Sequence, residues 1–117
     1  MEITQQKIDG VMILKFKGRL DASSVKDIRD KVKNLTKENC SNFVFDLEDI
    51  SFIDSSGIGI LVASLRSVNK VNGDIKVSNV KDHVRSIFEI IRLHRLFEIF
   101  DDFEMAAKSF STSSWLK

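Results

Sequence analysis

The sequence predicts an α/β domain built on a mixed β-sheet: an antiparallel hairpin opens the chain, βαβ units follow, and the helices lie mainly on one face of the sheet. Three observations predict it. Two short apolar-rich runs, Ile3 to Ile8 and Val11 to Phe16, flank Asp9-Gly10, a strong two-residue hairpin signal. Downstream, segments rich in β-branched and aromatic residues alternate with segments whose apolar residues recur at helical spacing, in the order ββαβαβαβα. No proline interrupts any of the helical segments.

Each element can be justified in turn. Gly18-Arg19-Leu20-Asp21 breaks the pattern of the second strand, after which Val25, Ile28, Val32 and Leu35 mark the buried face of a helix. The opposite face carries Lys26, Asp27, Arg29, Asp30, Lys31 and Lys33 and reads as solvated, with Asp27 and Lys31 at i,i+4 spacing. Phe43 to Leu47 gives a strand, Ser55 to about Val71 a helix, and Asp74 to Val77 a strand entered through the turn residues Asn72-Gly73. Val84, Ile87, Phe88 and Ile91 form the next helical stripe, Phe97 to Phe100 a short strand, and Phe103, Ala106, Ala107 and Phe110 a last stripe. Parallel βαβ connections are right-handed and fold their helices back onto the sheet, which places most of the helices on one side. Ser109 to Lys117 is serine-rich without an apolar period, so the domain is expected over 1–110 and a flexible tail over 111–117, with Trp115 either free or docked on a neighbour.

Composition narrows the function classes. At 117 residues, 43% hydrophobic and 30% charged, the chain fits a single globular domain. A formal net charge of +1, with Lys and Arg spread along the chain, supplies no field that would attract nucleic acid or an anionic membrane. Cys40 is the only cysteine, which leaves no internal disulfide or cysteine metal site and suits a reducing cytoplasm. The first residues lack the apolar core of a signal peptide, and no apolar run approaches the roughly 18 residues of a membrane span. A cytoplasmic protein with no cofactor, metal, nucleic acid or membrane partner is expected.

The most informative run is Asp54-Ser55-Ser56-Gly57-Ile58-Gly59, which joins a strand to a helix. Asp54, Ser55 or Ser56 would form the helix N-cap, and one capping oxygen suffices where three side-chain groups are present. Two glycines follow, which suits close approach to the backbone. In the helix itself Ile58, Leu61, Val62, Leu65 and Val68 form the expected core stripe. Ser56, Ile60, Ala63 and Ser67 then share another face, small and apolar, on which a partner helix could lie. The competing reading covers Ile60 and Ala63 with a neighbouring helix of the same domain.

Catalytic readings meet obstacles. A serine nucleophile at Ser55 or Ser56 would need a base, yet the Gly-x-Ser-x-Gly elbow is absent and only His83 and His94 offer an imidazole. A phosphoaspartate receiver using Asp46 or Asp54 would need a cluster of acids holding Mg²⁺, whereas Gly18-Arg19 follows the hairpin.

Gly18-Arg19-Leu20-Asp21 after the hairpin and Asp54-Ser55-Ser56-Gly57-Ile58-Gly59 after the next strand together closely resemble the STAS family, and within it the stand-alone bacterial anti-sigma-factor antagonists. Phe88-Glu89, Leu93, Arg95-Leu96-Phe97-Glu98-Ile99-Phe100 and Met105-Ala106 also sit where those proteins carry their last elements, so the resemblance spans nearly the whole chain. It implies that Ser55 is a phosphoacceptor, with Asp21 beside it and Asp54 carried over on the same basis. A partner surface of Asp21, Asp54, Ser56, Gly57, Ile60 and Ala63 follows from the motif and the helix together. The implied role is non-catalytic: unphosphorylated, the antagonist binds an anti-sigma factor that is itself a serine kinase, and sigma is released. A PP2C-type phosphatase would restore the serine. Ile91, Arg92 and His94 depart from the small or polar residues around a glycine that family members often carry there. The alternative implied by the same resemblance is a STAS module acting only as a scaffold in another signalling or transport assembly.

Overall fold

The computed structural model describes the backbone of residues 1–115 and the side chains of residues 1–111. Five strands form one sheet: β1 (Glu2–Ile8), β2 (Val11–Leu20), β3 (Asn42–Ile53), β4 (Asp74–Ser78) and β5 (Ile99–Phe100). Four α-helices complete the fold: α1 (Val25–Lys37), α2 (Ser55–Asn69), α3 (Asp82–Ile90) and α4 (Phe103–Trp115). Short 3₁₀ turns, Ala22–Ser24 and Leu93–Arg95, precede α1 and β5.

Strand order in the sheet follows the chain, β1-β2-β3-β4-β5; the first pair is antiparallel and the others are parallel. The Asp9-Gly10 hairpin forms as expected, with both residues at positive φ. Because each parallel strand is added on the same side of its predecessor, right-handed crossovers put α1, α2 and α3 on one face. That face holds the main core. Leu14, Phe16, Phe43, Phe45, Leu61, Val84 and Phe88 are all sealed within it. Phe16 and Phe45 meet edge to face at 4.9 Å between ring centroids.

Helix α4 follows the last strand, is bound by no crossover, and covers the other face. There Ala106, Ala107 and Phe110 pack on Val11, Ile13 and Val44. Lys76 is on this face and only 2% exposed. Its Nζ donates to Ser109 Oγ at 2.6 Å and lies 4.3 Å from the centre of the Phe110 ring. Ser109, where fraying was expected to begin, is therefore an anchor of α4, and the helix continues to Trp115. The remainder of the expected tail, residues 116–117 and the side chains of residues 112–115, Trp115 among them, lies outside the described residues.

Other boundaries also move. β2 continues past Phe16 to Leu20 and β3 past Leu47 to Ile53, with register shifts between Lys15 and Lys17 and between Gly18 and Arg19. Such bulges interrupt the two-residue alternation from which a strand is read, and Gly18, at φ 124°, supplies the conformation that one of them needs. Phe97 is core but precedes β5. The i,i+4 ion pair on α1 is Lys26–Asp30 at 3.0 Å, while Lys31 turns to Gln5 of β1 at 2.9 Å instead of Asp27.

Candidate functional site

β2 and β3 end side by side, Leu20 opposite Ile53, so the next residue on each, Asp21 and Asp54, emerges at the same edge of the sheet. Both aspartates have extended backbones and both start a helical turn. Asp54 Oδ1 accepts from the backbone N–H groups of Ser56 at 2.9 Å and Gly57 at 3.1 Å, so Asp54 is the N-cap of α2. Asp21 Oδ1 accepts from Ser23 N–H at 3.0 Å and from the Ser23 hydroxyl, while buried Ser24 completes a capping box with the Asp21 backbone.

With Asp54 as cap, Ser55 becomes the first residue of α2 and is spared that task. Its side chain is exposed, and its hydroxyl has no hydrogen-bond partner among the described residues. The arrangement presents the Ser55 alcohol, the more exposed of the two serines in the first turn of α2, beside the Asp54 cap and next to the Asp21 turn. Neither His83, on α3, nor His94, in the second 3₁₀ turn, hydrogen-bonds to it; both histidines are exposed.

The structure brings Asp21, Asp54, Ser55, Ser56 and the Gly57 backbone together and places Ile60 and Ala63 further along α2. Gly57 is buried because α2 crosses β2 at that point: a Cβ there would lie 1.9 Å from the Leu20 carbonyl oxygen. That same carbonyl accepts from Asp54 N–H at 3.2 Å, which ties the two strand ends together. Ile60 is 5% exposed and belongs to the main core, whereas Ala63 is exposed. The buried stripe of α2 runs through Gly57, Ile60, Leu61, Ser64, Leu65 and Val68, rotated from the expected one, with Ile58 and Val62 at its border. Packing of α1 against α2 causes the rotation, so the contact expected for a partner at Ile60 is made within the domain.

Two residues of the site were not foreseen. Arg19 Nε donates to Asp21 Oδ2 at 3.1 Å, and its guanidinium carbon lies 4.0 Å from the centre of the Phe52 ring, which is 36% exposed. The Ser23 hydrogen bond first, and then Arg19, hold the Asp21 carboxyl below the usual carboxylate range. The available signal was positional: Arg19 and Phe52 each stand two residues before a motif aspartate.

Asp46 is no alternative phosphoacceptor at an open edge. It lies within β3, is 2% exposed, and accepts from Glu48 N–H at 3.0 Å; burial pushes its carboxyl up. Among the described residues no group of three or more His, Cys, Asp or Glu is placed to hold a metal ion, and no helix is long and apolar enough to cross a membrane.

Known proteins resemble the chain along nearly its whole length. BtrV of Bordetella bronchiseptica, which is named for anti-sigma factor antagonism, is 26% identical over 113 residues, spanning 97% of each chain. The anti-sigma F factor antagonist of Paenibacillus polymyxa is 24% identical over 103 residues, covering 87% of this chain and 88% of its own. The solved structure of the Bacillus anti-sigma factor antagonist SpoIIAA, unphosphorylated, superposes with a TM-score of 0.72 at 21% identity over 95% of this chain and 98% of its own; a phosphorylated form is also known. The STAS domain family model matches residues 2–106, and the chain belongs to the STAS domain family.

Proposed function

We propose that this chain is a cytoplasmic anti-sigma-factor antagonist whose unphosphorylated form binds an anti-sigma factor with serine kinase activity, releasing sigma, and whose phosphorylation at Ser55 switches that binding off. The observation that carries the reading is the exposed, uncommitted Ser55 hydroxyl on the first turn of α2, beside the capping carboxylate of Asp54. The relatives' names point the same way.

The chemistry is modest on this side of the interface. A kinase would take the proton from Ser55 Oγ as the oxygen attacks the γ-phosphorus of ATP; the bond from that phosphorus to the β,γ-bridging oxygen breaks, and ADP leaves with its electron pair. A PP2C-type phosphatase would reverse the state by hydrolysing the ester. The chain supplies the acceptor and its presentation, as a substrate and not a catalyst.

Phosphorylation adds about 1.5 to 2 negative charges where a neutral hydroxyl stood. Within the domain the effect is small, because an anion at a helix N-terminus gains only about 0.3 to 1 kcal/mol, offset in part by Asp54 and Asp21. At a docked interface it is large. Two like charges about 5 Å apart at an effective dielectric near 20 repel by roughly 3 kcal/mol, about a hundredfold in affinity. The switch thus acts by excluding the partner while the antagonist keeps its fold.

Affinity capture from native cytosol with wild type, Ser55→Ala and Ser55→Asp tests the reading. A small ATPase-fold protein should be retained by the first two and lost with the third. Equal retention by all three would favour a passive scaffold.

A further inference from the structure

Helices α1 and α2 enclose a groove of about 350 Å³, at the lower end of the range for small-molecule sites. Val32 and Ile60, 2% and 5% exposed, give it an apolar floor, and Ala63 lines it beside them. Ser64 lines it too. That residue is 4% exposed, and its hydroxyl has no hydrogen-bond partner among the described residues. A buried hydroxyl left unpaired is costly, and such a group facing a cavity indicates a missing acceptor or donor.

The rim is cationic. Arg29 and Lys33, i,i+4 on α1, line the same groove, and among the described residues neither forms an ion pair. Asp30, the acid between them, is paired with Lys26 at 3.0 Å, and Lys26 first, then Arg29 and Lys33, help hold its carboxyl below the ordinary range. Two exposed cations at the rim of an apolar floor, in a groove that an unsatisfied hydroxyl also lines, match an apolar body carrying an acidic head. The volume limits that body to a short one.

We propose that the α1–α2 groove binds a free, small amphiphilic carboxylate, with its hydrocarbon part over Val32, Ile60 and Ala63 and its head held by Arg29, Lys33 and the Ser64 hydroxyl. The groove uses neither Ser55 nor the capping aspartates, although it shares α2 with them.

Amide chemical shifts of the full chain, titrated with octanoate, test this directly. Saturable shifts should appear at Val32, Ile60, Ala63 and Ser64, with octanol and octylammonium binding at least about tenfold more weakly for want of the charge-assisted contacts. The double variant Arg29→Glu, Lys33→Glu should lose octanoate while retaining a folded spectrum, since both side chains are exposed. Ala63→Trp, which fills the groove from its open wall, should lose it as well. Absence of saturable shifts, shifts centred elsewhere, or equal binding of octylammonium would overturn the assignment. So would binding to phosphatidylglycerol vesicles, or to an acidic peptide, without binding to octanoate.

Discussion

The carbonyl oxygen of Leu20 occupies the space a side chain would need at Gly57: a Cβ there would approach it to 1.9 Å. Gly57 therefore sets how closely α2 can lie against β2, and with it the height at which Ser55 stands over the sheet edge. Gly57→Ala should cost about 1 to 3 kcal/mol or more through forced backbone displacement. Gly59, two residues on, has nothing within 4 Å of its would-be Cβ, so Gly59→Ala should stabilise by about 0.5 to 1 kcal/mol. Urea denaturation midpoints of the two variants should move in opposite directions.

Asp54 satisfies two N–H groups of the first turn of α2. Asp54→Ala should destabilise by about 1 kcal/mol, within the 0.5 to 2 range for lost caps, while Asp54→Asn keeps an acceptor oxygen and most of the stability. Thermal unfolding of both variants distinguishes the cap from the charge.

Two carboxyls pull the pH dependence of stability in opposite directions. Burial raises the Asp46 pKa, so between the ordinary value of about 3.9 and its folded value the native state holds this proton more tightly than the unfolded chain. Its contribution to stability falls as pH rises across that window. Asp46→Asn should remove this loss and raise stability at neutral pH relative to wild type. Asp21, lowered by Ser23 and Arg19, behaves conversely: its stabilisation is present above the unfolded value and is lost as pH falls through the folded one. Asp21→Asn should flatten the acid limb. Denaturant titrations from acid to neutral pH check both signs.

Ser55→Asp places a carboxylate at the helix N-terminus without disturbing a hydrogen bond, since the wild-type hydroxyl makes none among the described residues. Stability should change by less than about 1 kcal/mol, with near-ultraviolet circular dichroism unchanged. A large loss of structure would contradict a switch that works by exclusion.

Much of the fold was legible because its signals are local. Asp9-Gly10 can hardly be other than a hairpin, and an uninterrupted alternation of strand and helix periods imposes the parallel order. The strand ends were harder, since the bulges around Lys15–Gly18 shift the period that identifies a strand. For Ile60 the sequence admits two adjacent stripes on α2, one open to a partner and one covered by a neighbouring helix, and only the docking of α1 decides for the covered one. Ser109 looked like tail because its role depends on Lys76, thirty-three residues away in the chain. In the site, Asp21, Asp54 and Ser55 were readable from motif positions. The Arg19–Phe52 stack required the register of two parallel strands.

The most direct measurement is the dissociation constant of the kinase-type anti-sigma partner for the protein carrying Ser55 and for the same protein phosphorylated there, by isothermal titration at fixed ionic strength. The account predicts weakening of about a hundredfold on phosphorylation, with circular dichroism spectra of the two forms superimposable. Equal affinity of the two forms would contradict it.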